Sequence, residues 1–172
     1  MTAVHAQSNS ARNQTGNIAF VQEANQFISF VVDDRHYCVD IMSVCEIKQW
    51  VGATPLPNAA LHMRGVINLR GAIIPVIDLK ALFGGGRTEA TPLHVVVIVA
   101  TAGGQKGLLV DAVTDIVTAG QGDVAAMPES FVEDRDRFFS GIVKTEEALV
   151  AIVDLGQLST RPVEAFSVSA VA

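Results

Sequence analysis

Clusters of basic residues are missing from this chain. Its 12 Lys and Arg residues are outnumbered by 18 Asp and Glu, for a formal net charge of -6. Nucleic acid is bound by neutralising its phosphates, so it is not an expected partner. Long apolar runs are missing too: the longest, Val95 to Ala100, falls far short of the roughly 20 residues of a membrane-spanning helix. Met1 to Asn25 has no basic start followed by an apolar stretch, the mark of an export signal. The expectation is a cytoplasmic protein with no direct membrane insertion. Cysteine is scarce, with Cys38 and Cys45 seven apart, which is neither a disulfide framework nor a C-x-x-C pair. His5, His36, His62 and His94 stand singly, so no metal site is expected. No G-x-S-x-G elbow is present, and Gly84-Gly85-Gly86-Arg87 lacks the Gly-Lys-Ser/Thr ending of a phosphate loop. The acidic pairs Asp33-Asp34, Glu133-Asp134 and Glu146-Glu147 each fall at a predicted turn, where solvated acids are common. No catalytic residue and no cofactor is assigned, and an enzyme is not expected.

What is present is a foldable composition, 49% apolar and 17% charged over 172 residues, enough for one compact unit. Residues 1–25 are rich in Ser, Asn, Gln, Ala and Thr and read as a leader, with a short apolar patch from Ile18 to Val21; residues 159–172 read as a tail. From Gln26 the pattern becomes short segments rich in Val, Ile and Phe, broken by Asp-Asp, Gly and Pro, which predicts a mostly β fold. The spacing predicts a hairpin from 26–32 and 35–41 over Asp33-Asp34, with Tyr37, Val39 and Ile41 on one face. A strand over 43–50 leads to Thr54-Pro55-Leu56-Pro57, a loop or edge. Strands over 65–69 and 72–78 meet at Arg70-Gly71. Pro75 implies an edge strand or a bulge, and 78–83 suits one helical turn. Further strands fall at 93–101, 105–113, 115–119, 138–144 and 149–155. Trp50 beside its strand reads as a packing residue.

The chain echoes itself. Gly65-Val66-Ile67 through Ile73 to Leu79 aligns without a gap on Gly141-Ile142-Val143 through Leu149 to Leu155, 76 residues later, and Val44-Cys45-Glu46-Ile47 pairs more loosely with Val113-Thr114-Asp115-Ile116. Apolar strands align by chance, but the Gly and Asp-Leu anchors favour duplication. Two such small units cannot each bury enough surface alone, so they should share an apolar seam, with a groove between them as a binding place.

The segment from Met63 to Leu79, MRGVINLRGAIIPVIDL, resembles the G-V-x-N-L-R-G-x-x-x-P-V-x-D-L signature of the CheW family of chemotaxis coupling proteins. Tyr37 to Ile41, Val44 with Glu46-Ile47, Pro55-Leu56-Pro57, Gly107 to Ile116 and Gly141 to Leu155 extend the resemblance over about 26–158. It implies two SH3-like β-barrel subdomains, roughly 26–88 and 89–158, packed on a shared apolar interface with short helical turns, and leaves an exchange of strands between them open. It also implies an adaptor that joins the cytoplasmic tip of methyl-accepting chemoreceptors to the regulatory domain of the CheA histidine kinase. The protein would be cytoplasmic and recruited to membrane-bound receptor arrays. An adaptor of another chemosensory pathway, such as twitching motility, is the nearest alternative; a β-barrel ligand carrier or enzyme is the more distant one. By the same resemblance, Glu46 and Arg70 sit at positions tied to receptor and kinase coupling, and an internal Glu46–Arg70 pair that pins two strands is the competing reading. Val44 and Ile47 fall where the family offers apolar contact, or equally in the core. Asn68 belongs to the same motif, though its residue type suits shaping the turn. Phe131 is similar to an aromatic used in array contacts, with its alignment one residue out of step.

Overall fold

The computed structural model describes residues 24–128 and 136–159. Asp33 and Asp34 both take positive φ, 51° and 62°, the left-handed geometry that a two-residue hairpin turn needs. They join β1 (Asn25–Val32) to β2 (Arg35–Asp40), with Phe27 opposite Asp40 and Val32 opposite Arg35. Ile41 does not continue β2 as the alternation suggested. Asp40 accepts from the N–H of Met42 and starts a 3-10 turn, Ile41–Ser43, that turns the chain out of one sheet and into β3 (Val44–Gln49) of the other. Next come β4 (Met63–Leu69), β5 (Ala72–Asp78) and the one-turn helix α1 (Leu79–Leu82), capped by the Asp78 carboxylate. The second half supplies β6 (Val95–Thr101), β7 (Gly104–Val110), β8 (Ala112–Ala119), β9 (Val124–Ala126), β10 (Phe139–Lys144), β11 (Leu149–Val153) and α2 (Leu155–Ser159).

Pro75 corrects one expectation: β5 is an interior strand, between β4 and β7, and the bulge lies on β4. Proline is tolerated because neither neighbour needs its missing donor. Val66, opposite Pro75, spends its N–H and carbonyl on Thr54, and the ladder with β7 starts one residue later at Val76.

The strands form a six-stranded sheet, β8-β1-β2-β11-β10-β9, and a five-stranded sheet, β3-β6-β7-β5-β4. Residue 88 separates the two repeats but not the two sheets, since each sheet takes its central hairpin from one repeat and its flanks from the other. The correspondence is strand for strand. The β1–β2 pair of Ser29 with Cys38 matches, 69 residues on, the β6–β7 pair of Ile98 with Gly107. Thr54, bridged to Val66, stands where β9 stands beside β10. Gly65 and Gly141 both follow a one-residue bulge, formed by Arg64 and Ser140. A Cβ at Gly65 would run into the Thr54 carbonyl, and one at Gly141 would lie 2.6 Å from the Ala125 oxygen.

Three apolar cores follow from this exchange. Phe27, Cys38, Ala119, Val143, Val150 and Ile152 fill the six-stranded subdomain, and Leu69, Ile74, Val76, Val96, Ile98 and Leu109 fill the five-stranded one. The largest lies between them, where Ile28, Phe30, Tyr37 and Val39 meet Val97, Val99, Leu108 and Val110. Central strands thus bury both faces, which is why β6 reads as an unbroken run of Val and Ile. The short helices close the seam. Phe83, at the end of α1, packs its ring tilted against Tyr37 (ring centroids 4.9 Å apart), and the buried Lys106 donates to the Leu158 carbonyl of α2 at 2.6 Å.

Candidate functional site

Arg70 and Gly71 form the two-residue turn between β4 and β5, with φ of 52° and 86°. Asn68 shapes this turn: its Oδ1 accepts from the Gly71 N–H at 2.9 Å. A left-handed arginine costs about 1 kcal/mol relative to glycine there, so the turn itself gives no reason to prefer arginine. The guanidinium instead reaches the edge strand β3, donating from Nη1 to Glu46 Oε2 at 3.0 Å. Glu46 lies opposite Ile98 and so on the face of the five-stranded core; its side chain is 26% exposed and that of Arg70 is 78% exposed. The internal pair weighed from sequence therefore forms. At this exposure it is worth at most about 1 kcal/mol, while most of the guanidinium fork faces outward.

The structure does not bring Val44 and Ile47 to this same face. Cys45 bulges out of the β3–β6 ladder, so Val44 opposite Val99 and Ile47 opposite Val97 both point to the inter-sheet side, away from Glu46. Val44 packs against the central core, and Ile47 is 43% exposed. β8, an edge strand of the six-stranded sheet, repeats the device: Thr114 bulges, Val113 packs on the central core, and Ile116 is 53% exposed. Sequence reasoning did not single out Ile116, although the echo of Val44–Ile47 at Val113–Ile116 carried the signal. Phe131 lies outside the described residues, as do the patch from Ile18 to Val21 and the acidic pair Glu133-Asp134.

A charged network went unnoticed in the sequence. Asp78 is fully buried, accepting from the Thr88 N–H and hydroxyl (both 2.7 Å) and the Ala81 N–H, with Arg64 Nη1 3.7 Å away. Arg64 also donates to the Thr88 carbonyl at 2.7 Å and lies over the Trp50 ring, 5.4 Å from its centroid. Its pKa is lowered, first by burial and then by Arg87, with Asp78 opposing. The network pins the segment after α1 onto the five-stranded subdomain. Trp50 packs there against the core, as a packing residue should. Cys38 and Cys45 are free thiols, one buried and one exposed. Among the described residues no group of three or more His, Cys, Asp or Glu side chains converges, and no helix is long and apolar enough to cross a membrane.

Comparison with known families matches residues 26–163 to the CheW-like domain. The chain belongs to the CheW family. It is 38% identical over 130 residues to the chemotaxis protein CheW of Rhizobium meliloti (strain 1021), covering 76% of this chain and 84% of that one. It is 31% identical over 136 residues to the CheW of Bacillus subtilis (strain 168), covering 79% and 87%. Among solved structures it is similar to the scaffolding protein TtCheW from Thermoanaerobacter tengcongensis, with a TM-score of 0.74 and 32% identity over 81% of this chain and 94% of that one. The two subdomains are SH3-like, as that CheW fold implies. On this CheW fold Arg70 sits at the tip of the β4–β5 hairpin, paired with Glu46 of β3.

Proposed function

We propose that this chain, a CheW-family chemotaxis adaptor, couples the cytoplasmic tip of methyl-accepting chemoreceptors to the regulatory domain of the CheA histidine kinase. It would do so in the cytoplasm, at membrane-bound receptor arrays. The observation that carries the reading is the placement of Arg70: an arginine held in a glycine-favouring conformation, keyed on one side by Glu46, with the rest of its donors directed at solvent. That geometry suits a carboxylate or carbonyl on a partner, which a planar fork meets better than a lysine. Asn68 supports the loop that presents it.

Val44, Ile47, Val113 and Ile116 supply the second element. They carry the central apolar core outward along β3 and β8, and an amphipathic helix laid in a groove between the subdomains would use such anchors. No reactive group is required, because binding two partners at fixed relative positions is itself the task. Purified chain should be retained by immobilised receptor signalling fragments and, separately, by the kinase regulatory domain. Retention by neither contradicts the reading.

A further inference from the structure

The repeat places Arg64 and Ser140 in the same backbone setting: each is the single bulged residue before the glycine of its hairpin. Their surroundings correspond as well. Asp78 donates its N–H to the carbonyl of His62, and Asp154 donates its N–H to the carbonyl of Phe138, both at 2.7 Å. In the five-stranded subdomain the space beside the aspartate is filled by the Arg64 guanidinium, set between a carboxylate, a carbonyl oxygen and an aromatic face. In the six-stranded subdomain serine replaces arginine, and an open cleft of about 370 Å³ lies there, lined by Ser140 and Asp154 together with Phe27, Asp40 and Ser43.

We infer that this cleft is a guanidinium-binding site, the place where an arginine side chain from elsewhere takes the position that Arg64 takes in the twin subdomain. Asp154 is the counterpart of Asp78, and Phe27, at the margin of the six-stranded core, lines the cleft. Asp40 adds a second carboxylate. Asp40 Oδ1 accepts from the Met42 N–H and Asp154 Oδ1 from the Gly156 N–H, and among the described residues Oδ2 of each carries no hydrogen bond. Two carboxylate oxygens beside an apolar wall match the donor fork and flat faces of a guanidinium. The cleft volume lies at the lower end of the roughly 300–1,000 Å³ typical of ligand sites. The inference rests on the repeat and stands apart from the receptor-coupling reading.

The test is a titration with Nα-acetyl-arginine methylamide, followed by the backbone amide signals of Ser140, Asp154 and Gly156. It is run on the full chain and on Arg161→Gln, because Arg161 follows α2 in the sequence and carries the same group. Saturable shifts in both proteins show a cleft open to an external arginine. Shifts only in Arg161→Gln show the chain's own arginine competing for the same site. Either supports the proposal. The citrulline analogue, which keeps the shape and loses the charge, should bind roughly ten-fold more weakly. Asp154→Asn, which retains the oxygen that accepts from Gly156, should weaken binding similarly, and Ser140→Arg should abolish it by filling the cleft from within. No saturable shift in either protein, equal binding of citrulline, or binding unaffected by both Asp154→Asn and Ser140→Arg overturns it.

Discussion

At the scale of single residues, Arg70 separates stability from function. Its left-handed φ is a local cost and its ion pair a small gain, so Arg70→Gly should leave the melting temperature within a few degrees of the parent while weakening partner binding. Thermal unfolding and pull-down on the same preparation check this; a large loss of stability would show the pair to be an internal pin. Cys38 offers a second measurement. Burial pushes its thiol up to about 12 from an ordinary value of 9.0. Because the folded pKa lies above the unfolded one, its contribution to stability is intact below pH 9 and lost as pH rises from 9 towards 12, at up to about 1.4 kcal/mol per pH unit. Cys38→Val should show a shallower loss of stability between pH 9 and 11 than the parent, and equal slopes would refute the assignment. The position of Arg70 in the turn between two strands was legible because a glycine follows it between two apolar runs. The Arg64–Asp78–Thr88 network was not, because nothing in a sequence tells a buried, satisfied aspartate from a turn-forming one.

At the scale of elements, the two repeats predict matched sensitivities. Gly65 packs against the Thr54 carbonyl with φ of 136°, and Gly141 packs against Ala125. Alanine at either should destabilise by about 1–3 kcal/mol through overpacking, more at Gly65, where positive φ adds strain; denaturant midpoints measure this. A change below half a kcal/mol at both would remove the bulge argument. Lys106 anchors α2, and Lys106→Met should speed hydrogen exchange in residues 155–159 while the sheets stay protected. Unchanged exchange there would show the helix held by packing alone. Strand positions and the Arg70-Gly71 turn were readable from period-two alternation and punctuating glycines. The break at Ile41 was not, since an apolar residue after Tyr37 and Val39 continues the alternation whether the chain stays in its sheet or leaves it. The bulges at Cys45 and Thr114 were equally silent, yet they decide that Ile47 and Glu46 serve different faces.

At the scale of the whole molecule, exchange of hairpins between repeats makes the subdomains interdependent. Neither repeat holds a complete sheet, and the largest core belongs to both. Unfolding should therefore be one cooperative transition, with calorimetric and van't Hoff enthalpies equal; two resolved transitions would contradict the shared core. The anchors that recur in order pointed to two similar units and a shared seam, while the way the strands pair across it is a long-range fact that local pattern does not encode. The proposed function is one of placement: the Arg70 tip and the apolar margins of β3 and β8 would present two kinds of contact on one frame, with chemistry left to the partners. Kinase autophosphorylation in assemblies of receptor fragments, CheA and this chain tests that claim most directly. The parent should raise kinase activity under receptor control, and Arg70→Ala, still folded, should lose most of that activation. Full activation by Arg70→Ala and Glu46→Ala alike, or none by the parent, would contradict it.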